Sequence, residues 1–219
     1  MVSRRIYKAS ALCVKIQQTD MTDQKRPYRK KRRAEQEQAT RRRITESAVE
    51  LHGTLGPSRT SLSAVAEHAR VRRSTLYRHF ADEGALFAAC TAHWLASNPV
   101  PDLAHWARID DPDERLQMAL RELYRYYRRN ERMMINILRD EKTMPIVEQM
   151  FGGFRDYMKT AHETLMADRR ARGAARQRVL AATGHALAFA TWHSLVREQG
   201  LDDPEAAKLM CRLVAAAQP

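Results

Sequence analysis

The sequence predicts an all-α protein, with an N-terminal three-helix domain built around a helix-turn-helix and a larger C-terminal helical domain. Three observations predict it. Apolar residues recur at three- and four-residue intervals through most of the chain, no segment alternates like a half-buried strand, and Gly and Pro fall mostly at breaks between periodic segments. Charge divides the chain in the same way: residues 1–80 hold 19 Lys and Arg against 7 Asp and Glu, whereas residues 81–219 hold 19 of each. A net charge of +12 confined to the N-terminal part implies a polyanionic partner there, and an uncharged ligand or another protein elsewhere.

Residues 1–33 are expected to form a disordered basic extension. Its only apolar run, Ala11 to Val14, is too short for the core of a signal peptide, and residues 1–20 are a disordered extension or precede a true start at Met21. The segment KRPYRKKRR puts seven cations in nine positions. Such a run is a solvated tail or, ahead of a helix-turn-helix, an arm whose Arg29, Lys30, Lys31, Arg32 and Arg33 lie along phosphates.

The N-terminal domain is expected over residues 34–81. Its first helix runs from about Ala34 to His52, with Ile44, Ala48, Leu51 and Leu55 on one stripe, and Gly53, Gly56 and Pro57 end it. Thr60 or Ser61 supplies the N-cap of the second helix, where Leu62, Val65, Ala66 and Ala69 face inward. Val71 fills the turn, and Leu76 and Phe80 continue the stripe on the third helix. Off the stripe lie Arg70, Arg72, Arg73, Ser74, Thr75, Tyr77, Arg78 and His79. A solvated face is the plain reading. The alternative is a helix sized for the major groove, where Arg bonds guanine edges and hydroxyls reach bases or phosphates.

A fourth helix opens at Ala81-Asp82 and carries Leu86, Phe87, Cys90 and Trp94 to the break at Pro99-Val100-Pro101. It links the N-terminal domain to residues 82–219. Cys90 and His93 at i, i+3 lack a second pair, so no metal is expected. Cys13, Cys90 and Cys211 are odd in number and far apart, which argues against a disulfide framework and for the cytoplasm.

Downstream, one helix is expected from Asp111-Pro112 to Tyr127, a shorter one from Asn130 to Glu141, and a third from Pro145 to Arg170 with Gly152-Gly153 as a kink or close contact. Seven of the ten methionines fall between Met118 and Met166. Methionine adapts to differently shaped partners, so Tyr124, Met133, Met134, Ile137, Met150, Phe154, Met158, His162 and Trp192 are candidate cavity residues; ordinary core is the alternative. The segment DRRARGAARQR, Asp168 to Arg178, is read as a solvated connector. Val179 to Val196 is one uncharged helix, interrupted by polar residues and closed by Arg178 and Arg197, hence a buried helix and no membrane span. A last helix covers Pro204 to Ala216.

The segment TSLSAVAEHARVRRSTLYRHF followed by ADEGALF resembles the helix-turn-helix of the TetR (tetracycline-repressor-like) family of bacterial regulators. The likeness runs through Thr60, Val65-Ala66, Ala69, Val71, Thr75-Leu76-Tyr77, His79-Phe80 and Ala85-Leu86, and reaches back to Ile44, Ala48, Leu51 and Gly56. It covers roughly residues 39 to 89; beyond them only length and helical pattern agree. Three positions depart from the family: Arg70 stands where Gly is usual at the turn, Arg72 where Ser caps the recognition helix, and Glu83 where a Lys commonly touches the DNA backbone.

The resemblance implies a homodimeric repressor that places one recognition helix per subunit in a palindromic operator and is released by a small molecule. Base-edge contacts then fall to Arg73, Thr75 and Arg78, with Ser74, Tyr77, Arg72 and His79 beside them and Thr60 positioning the backbone. It also implies a four-helix dimer interface using Ala181, Gly184, Ala188, Trp192, Leu195, Met210 and Val214. A sequence-tolerant architectural DNA-binding protein is the alternative. No nucleophile elbow, phosphate-binding Gly loop or metal-ligand set is present, so neither an enzyme nor a cofactor is expected.

Overall fold

A computed structural model describes residues 20–218, and the side chains of residues 28–218. The chain divides into two compact units, residues 1–43 and 44–219. Residues 1–19 of the expected extension lie outside the described part.

The first unit contributes most of α1, Asp20–Thr54. Residues 20–33, expected as disordered, belong to this helix. Lys, Arg, Glu and Gln dominate residues 29–43, and these straight-chain residues lose little freedom on becoming helical. Residues 28–39 are all exposed.

In the second unit the end of α1 leads through a 3-10 turn, Pro57–Arg59, to α2, Leu62–His68, and α3, Arg73–His79. Ile44, Ala48, Val65, Ala66, Leu76 and Phe80 form one small core, joined by Leu86 and Cys90 of α4, Glu83–Ser97. Ser61 caps α2 by accepting the Ala64 amide at 3.1 Å, and Asp82 caps α4 by accepting that of Ala85 at 2.7 Å. Leu55, read as part of the inward stripe, is exposed: α1 ends at Thr54 and the chain turns away.

A second core is organised around α6, Pro112–Asp140, which packs against α5 (Leu103–Ala107), α7 (Pro145–Met166), α8 (Gly173–Leu187), α9 (Phe189–His193) and α10 (Asp203–Ala216). The two helices expected over 111–141 are this single helix. Asn130, taken as a break, bonds its Nδ2 to the Tyr126 carbonyl one turn back and stays inside the helix. The short α5 carried no strong periodic signal. Gly152 and Gly153 lie within the continuous α7 and make no close packing contact: the Arg155 guanidinium lies 3.8 Å from where a Gly152 Cβ would stand, and nothing lies within 4 Å of a Gly153 Cβ.

The expected helix over 179–196 is broken at Ala188, with the segments on either side bent by 64°. The break exposes carbonyls that a continuous helix would have paired. Two tyrosines of α6 take them: Tyr124 donates to Ala186 O at 2.9 Å, and Tyr127 to Leu187 O at 2.6 Å. A π-helical turn, Ser194–Glu198, follows α9. No single helix among the described residues is long and apolar enough to cross a membrane.

The connector 168–178 is only partly solvated, since residues 173–178 start α8 and Arg169 is buried against Asp113 Oδ1 (2.8 Å) and the Pro112 carbonyl (2.9 Å). Arg115, also buried, donates to the Thr164 and Ala167 carbonyls and so closes the C-terminal end of α7.

Candidate nucleic-acid interface and adjoining cavity

The turn between α2 and α3 is tight. Val71 N–H reaches back to Ala66 O at 2.9 Å and Arg70 N–H to Glu67 O at 2.9 Å, which places Arg70 at φ 53°. A Cβ-bearing residue in this left-handed region is strained by about 1 kcal/mol, the strain expected from an Arg in a glycine position. Arg72, the N-cap of α3, supplies no side-chain acceptor, again as its residue type implies.

With Leu76 and Phe80 anchored in the core, α3 turns Arg72, Arg73, Ser74, Tyr77 and Arg78 to solvent. Thr75 and His79 are half-buried at the edge of this face. Arg73 and Tyr77 are already paired. The guanidinium donates to Tyr77 Oη at 3.1 Å and its carbon lies 5.5 Å from the ring centre, which restricts both side chains before any partner arrives. Thr60 donates its hydroxyl to Gly56 O at 2.8 Å, so donating to a phosphate requires giving up that bond. Arg29, Lys30, Lys31, Arg32 and Arg33 occupy the exposed stretch of α1 in the first unit.

Below this face, α6 reaches the end of α1. Asn136 Nδ2 donates to the carbonyls of His52 and Gly53, both at 3.0 Å. Arg139 donates to Leu55 O at 3.1 Å and to both oxygens of Asp140, which also accepts the Ser58 amide. Burial acts to raise the Asp140 pKa, but the hydrogen bonds from Arg139 and Ser58 outweigh it and hold the carboxyl below its usual value. Gly56, at φ 96°, is needed twice over: its conformation suits glycine, and a Cβ would collide with Arg139 Nη2 and Asp140 Oδ2. Covalently, α4 alone joins the two cores; through this latch α6 joins them as well.

Beside the latch lies a cavity of about 300 Å³. Met133, Met134, Ile137, Met150 and Phe154 are in its wall. Tyr124 and Trp192 are not; both are fully buried, with Tyr124 held by the Ala186 carbonyl and the Trp192 indole by Asp203 Oδ1 at 2.9 Å. Met158 and His162 open instead on a neighbouring groove with Gly184, Ala188 and Phe189. The sequence reading missed the opposite wall: Val49 and His52 of α1 and Phe87, Thr91 and Trp94 of α4. Phe87 and Trp94 show in the sequence only as apolar residues of the fourth helix, and His52 only as the end of the first. His52 stacks on Phe87 with ring centres 4.8 Å apart. Burial drives its pKa down to about 4, with Asp140 pulling the other way.

The dimer residues divide similarly. Ala181 is exposed, and Gly184, Ala188 and Leu195 are half-buried, but Trp192, Met210 and Val214 are buried within the subunit and present nothing to a second copy. The large exposed apolar side chains of α8 and α10 are Leu180, Leu209 and Leu213. On α10, Met210 and Val214 are buried where the helix packs on α6 and α8, leaving Leu209 and Leu213 outside.

Residues 44–90 match the family described as bacterial regulatory proteins, tetR family. No curated protein matches the chain in sequence. Among solved structures, the fold is similar to that of a TetR-like transcriptional regulator from Rhodococcus sp. RHA1 (TM-score 0.59, 19% identity, 80% of this chain and 93% of that one). It is also similar to another transcriptional regulator from the same organism (0.53, 16%, 81% and 95%) and to the TetR family transcriptional regulator PfmR from Thermus thermophilus (0.52, 19%, 78% and 96%).

Proposed function

We propose, from the premise that this chain is a DNA-binding transcriptional regulator whose residues 44–90 belong to the tetR family of bacterial regulatory proteins, that it works as a homodimeric repressor of a palindromic operator, released by a small molecule. The observation that carries the reading is the outer face of α3. It is a solvent-exposed array of three arginines, a serine and a tyrosine on a short helix whose other face is locked into a core. Its dimensions suit a major groove, where Arg reads guanine and the hydroxyls reach bases or phosphates.

In this proposal residues 34–81 form the DNA-reading domain and residues 82–219 the effector and dimerisation domain. Arg73, Thr75 and Arg78 meet base edges, with Arg72, Ser74, Tyr77 and His79 against edges or phosphates. Thr60 and the cations from Arg29 to Arg33 hold the backbone. A second copy packs across α8 and α10, and its two-fold symmetry sets half-sites about one helical turn, or a multiple, apart. The protein acts in the cytoplasm, and its chemistry is binding without reaction.

The effector occupies the cavity. It touches α1, α4 and α6 together, so a ligand that prefers one arrangement of these helices shifts the separation of the two recognition helices and weakens docking of both. Selection of bound duplexes from a random pool tests the reading. The expected product is a short inverted repeat; an unenriched pool contradicts it.

A further inference from the structure

The regulator reading leaves the effector's chemistry open, and the walls of the cavity narrow it. Among the described residues no Lys, Arg, Asp or Glu lines it. An ionised group entering would lose its water without gaining a counter-charge. His52 offers none, being neutral above a pKa of about 4, and the nearby Asp140 carboxylate is held by Arg139 and Ser58. Much of the wall is flat and aromatic: besides His52 on Phe87, Phe151 stacks on Phe154 at 5.0 Å and Phe154 on Tyr157 at 6.0 Å. Such surfaces favour planar π systems.

Two of the polar groups in the wall have partners. Tyr157 donates to Pro101 O at 3.0 Å, and Cys90 Sγ sits 3.8 Å from Thr45 O. Tyr126 differs. It lines the cavity, it is fully buried, and its hydroxyl has no hydrogen-bond partner. Buried hydroxyls are rarely left so; this one is closed to a water-sized atom as the wall stands, so a ligand completes it by displacing a neighbouring side chain.

We infer that the effector is an uncharged, planar, ring-bearing molecule with an oxygen that accepts a hydrogen bond from the Tyr126 hydroxyl; this rests on the effector reading above. The cavity has the volume of about ten liquid waters, enough for two fused rings. A ring stacked near His52 and Phe87 touches α1 and α4, the helices that carry the DNA-reading core, and so couples its own binding to operator affinity.

Calorimetric titration of the full chain with 1-naphthol, 1-naphthoate and naphthalene at neutral pH tests this, repeated on Tyr126→Phe. The expected result is that 1-naphthol binds at least about tenfold tighter than both the ionised 1-naphthoate and naphthalene. Tyr126→Phe removes the advantage over naphthalene while leaving naphthalene affinity unchanged. Equal or tighter binding of 1-naphthoate, a 1-naphthol advantage that survives Tyr126→Phe, or no binding of any probe below about 1 mM overturns the inference. Duplex binding by the same preparations separates this failure from that of the broader reading: a protein that still selects an operator but ignores the probe series refutes only the assigned ligand class.

Discussion

The Asp140 carboxylate accepts the Ser58 amide at 2.9 Å across 82 residues of sequence, and the bond fastens the end of α6 to the turn that follows α1. Arg139 closes the same junction by bonding both Asp140 oxygens and the Leu55 carbonyl. Asp140→Ala leaves the Ser58 amide without its acceptor and the Arg139 guanidinium with only the Leu55 carbonyl and Asn136 Oδ1. The expected loss is about 2–3 kcal/mol of stability in chemical denaturation, below the roughly 3–5 kcal/mol of a fully buried broken pair because Arg139 is partly exposed. Gly56→Ala attacks the junction from the other side and is expected to cost about 2 kcal/mol or more.

His52 makes stability depend on pH. Its folded pKa is about 4, against 6.5 for the free side chain, so below 6.5 the unfolded chain takes up a proton that the folded one refuses. The contribution is complete above pH 6.5 and is lost as pH falls towards 4, amounting to about 3 kcal/mol. Asp140, whose folded pKa is depressed, contributes stability above its unfolded value near 3.8 and loses it only as pH falls below that. Denaturant midpoints between about pH 7 and 4.5 therefore report mainly on His52, and His52→Phe is expected to flatten that part of the profile.

Arg70 stands at φ 53° where glycine is at ease. Arg70→Gly is expected to raise stability by about 0.5–1 kcal/mol, somewhat offset by the freer unfolded chain. A thermal melt that falls instead indicates that the arginine side chain contributes a contact worth more than the strain.

Leu180 and Leu213 are 45% and 50% exposed on α8 and α10. If these helices form the dimer, Leu213→Glu places two like charges in an apolar seam and is expected to give monomers in sedimentation analysis at micromolar concentration. Met210→Leu, a buried exchange of similar volume, leaves the assembly intact.

The helix-turn-helix was legible because local signals agree there: an N-cap at Ser61, inward spacing from Val65 to Phe80, and a turn residue forced to positive φ. The C-terminal region was legible as helices but not in detail. Asn130 looks like a breaker and is instead a bonded interior residue, and the bend at Ala188 depends on Tyr124 and Tyr127, about sixty residues away. The cavity was half legible. Met133, Ile137 and Met150 announced a soft apolar wall, whereas His52 carried no signal beyond ending the first helix and Phe87 none beyond the apolar spacing of the fourth, because only the tertiary fold turns them towards α6. The buried side of α10 was not legible, since Leu209 and Met210 are adjacent in sequence and only packing decides which one is exposed.

The most direct measurement of the central claim compares the wild type with Arg73→Ala and Arg78→Ala on a selected duplex and on a scrambled one at fixed salt. The expected result is a preference of about 1,000-fold or more for the selected duplex in the wild type. Each substitution then costs about 1–3 kcal/mol on that duplex and far less on the scrambled one. Equal losses on both duplexes, or no wild-type preference, contradict the assignment of α3 as the element that reads sequence.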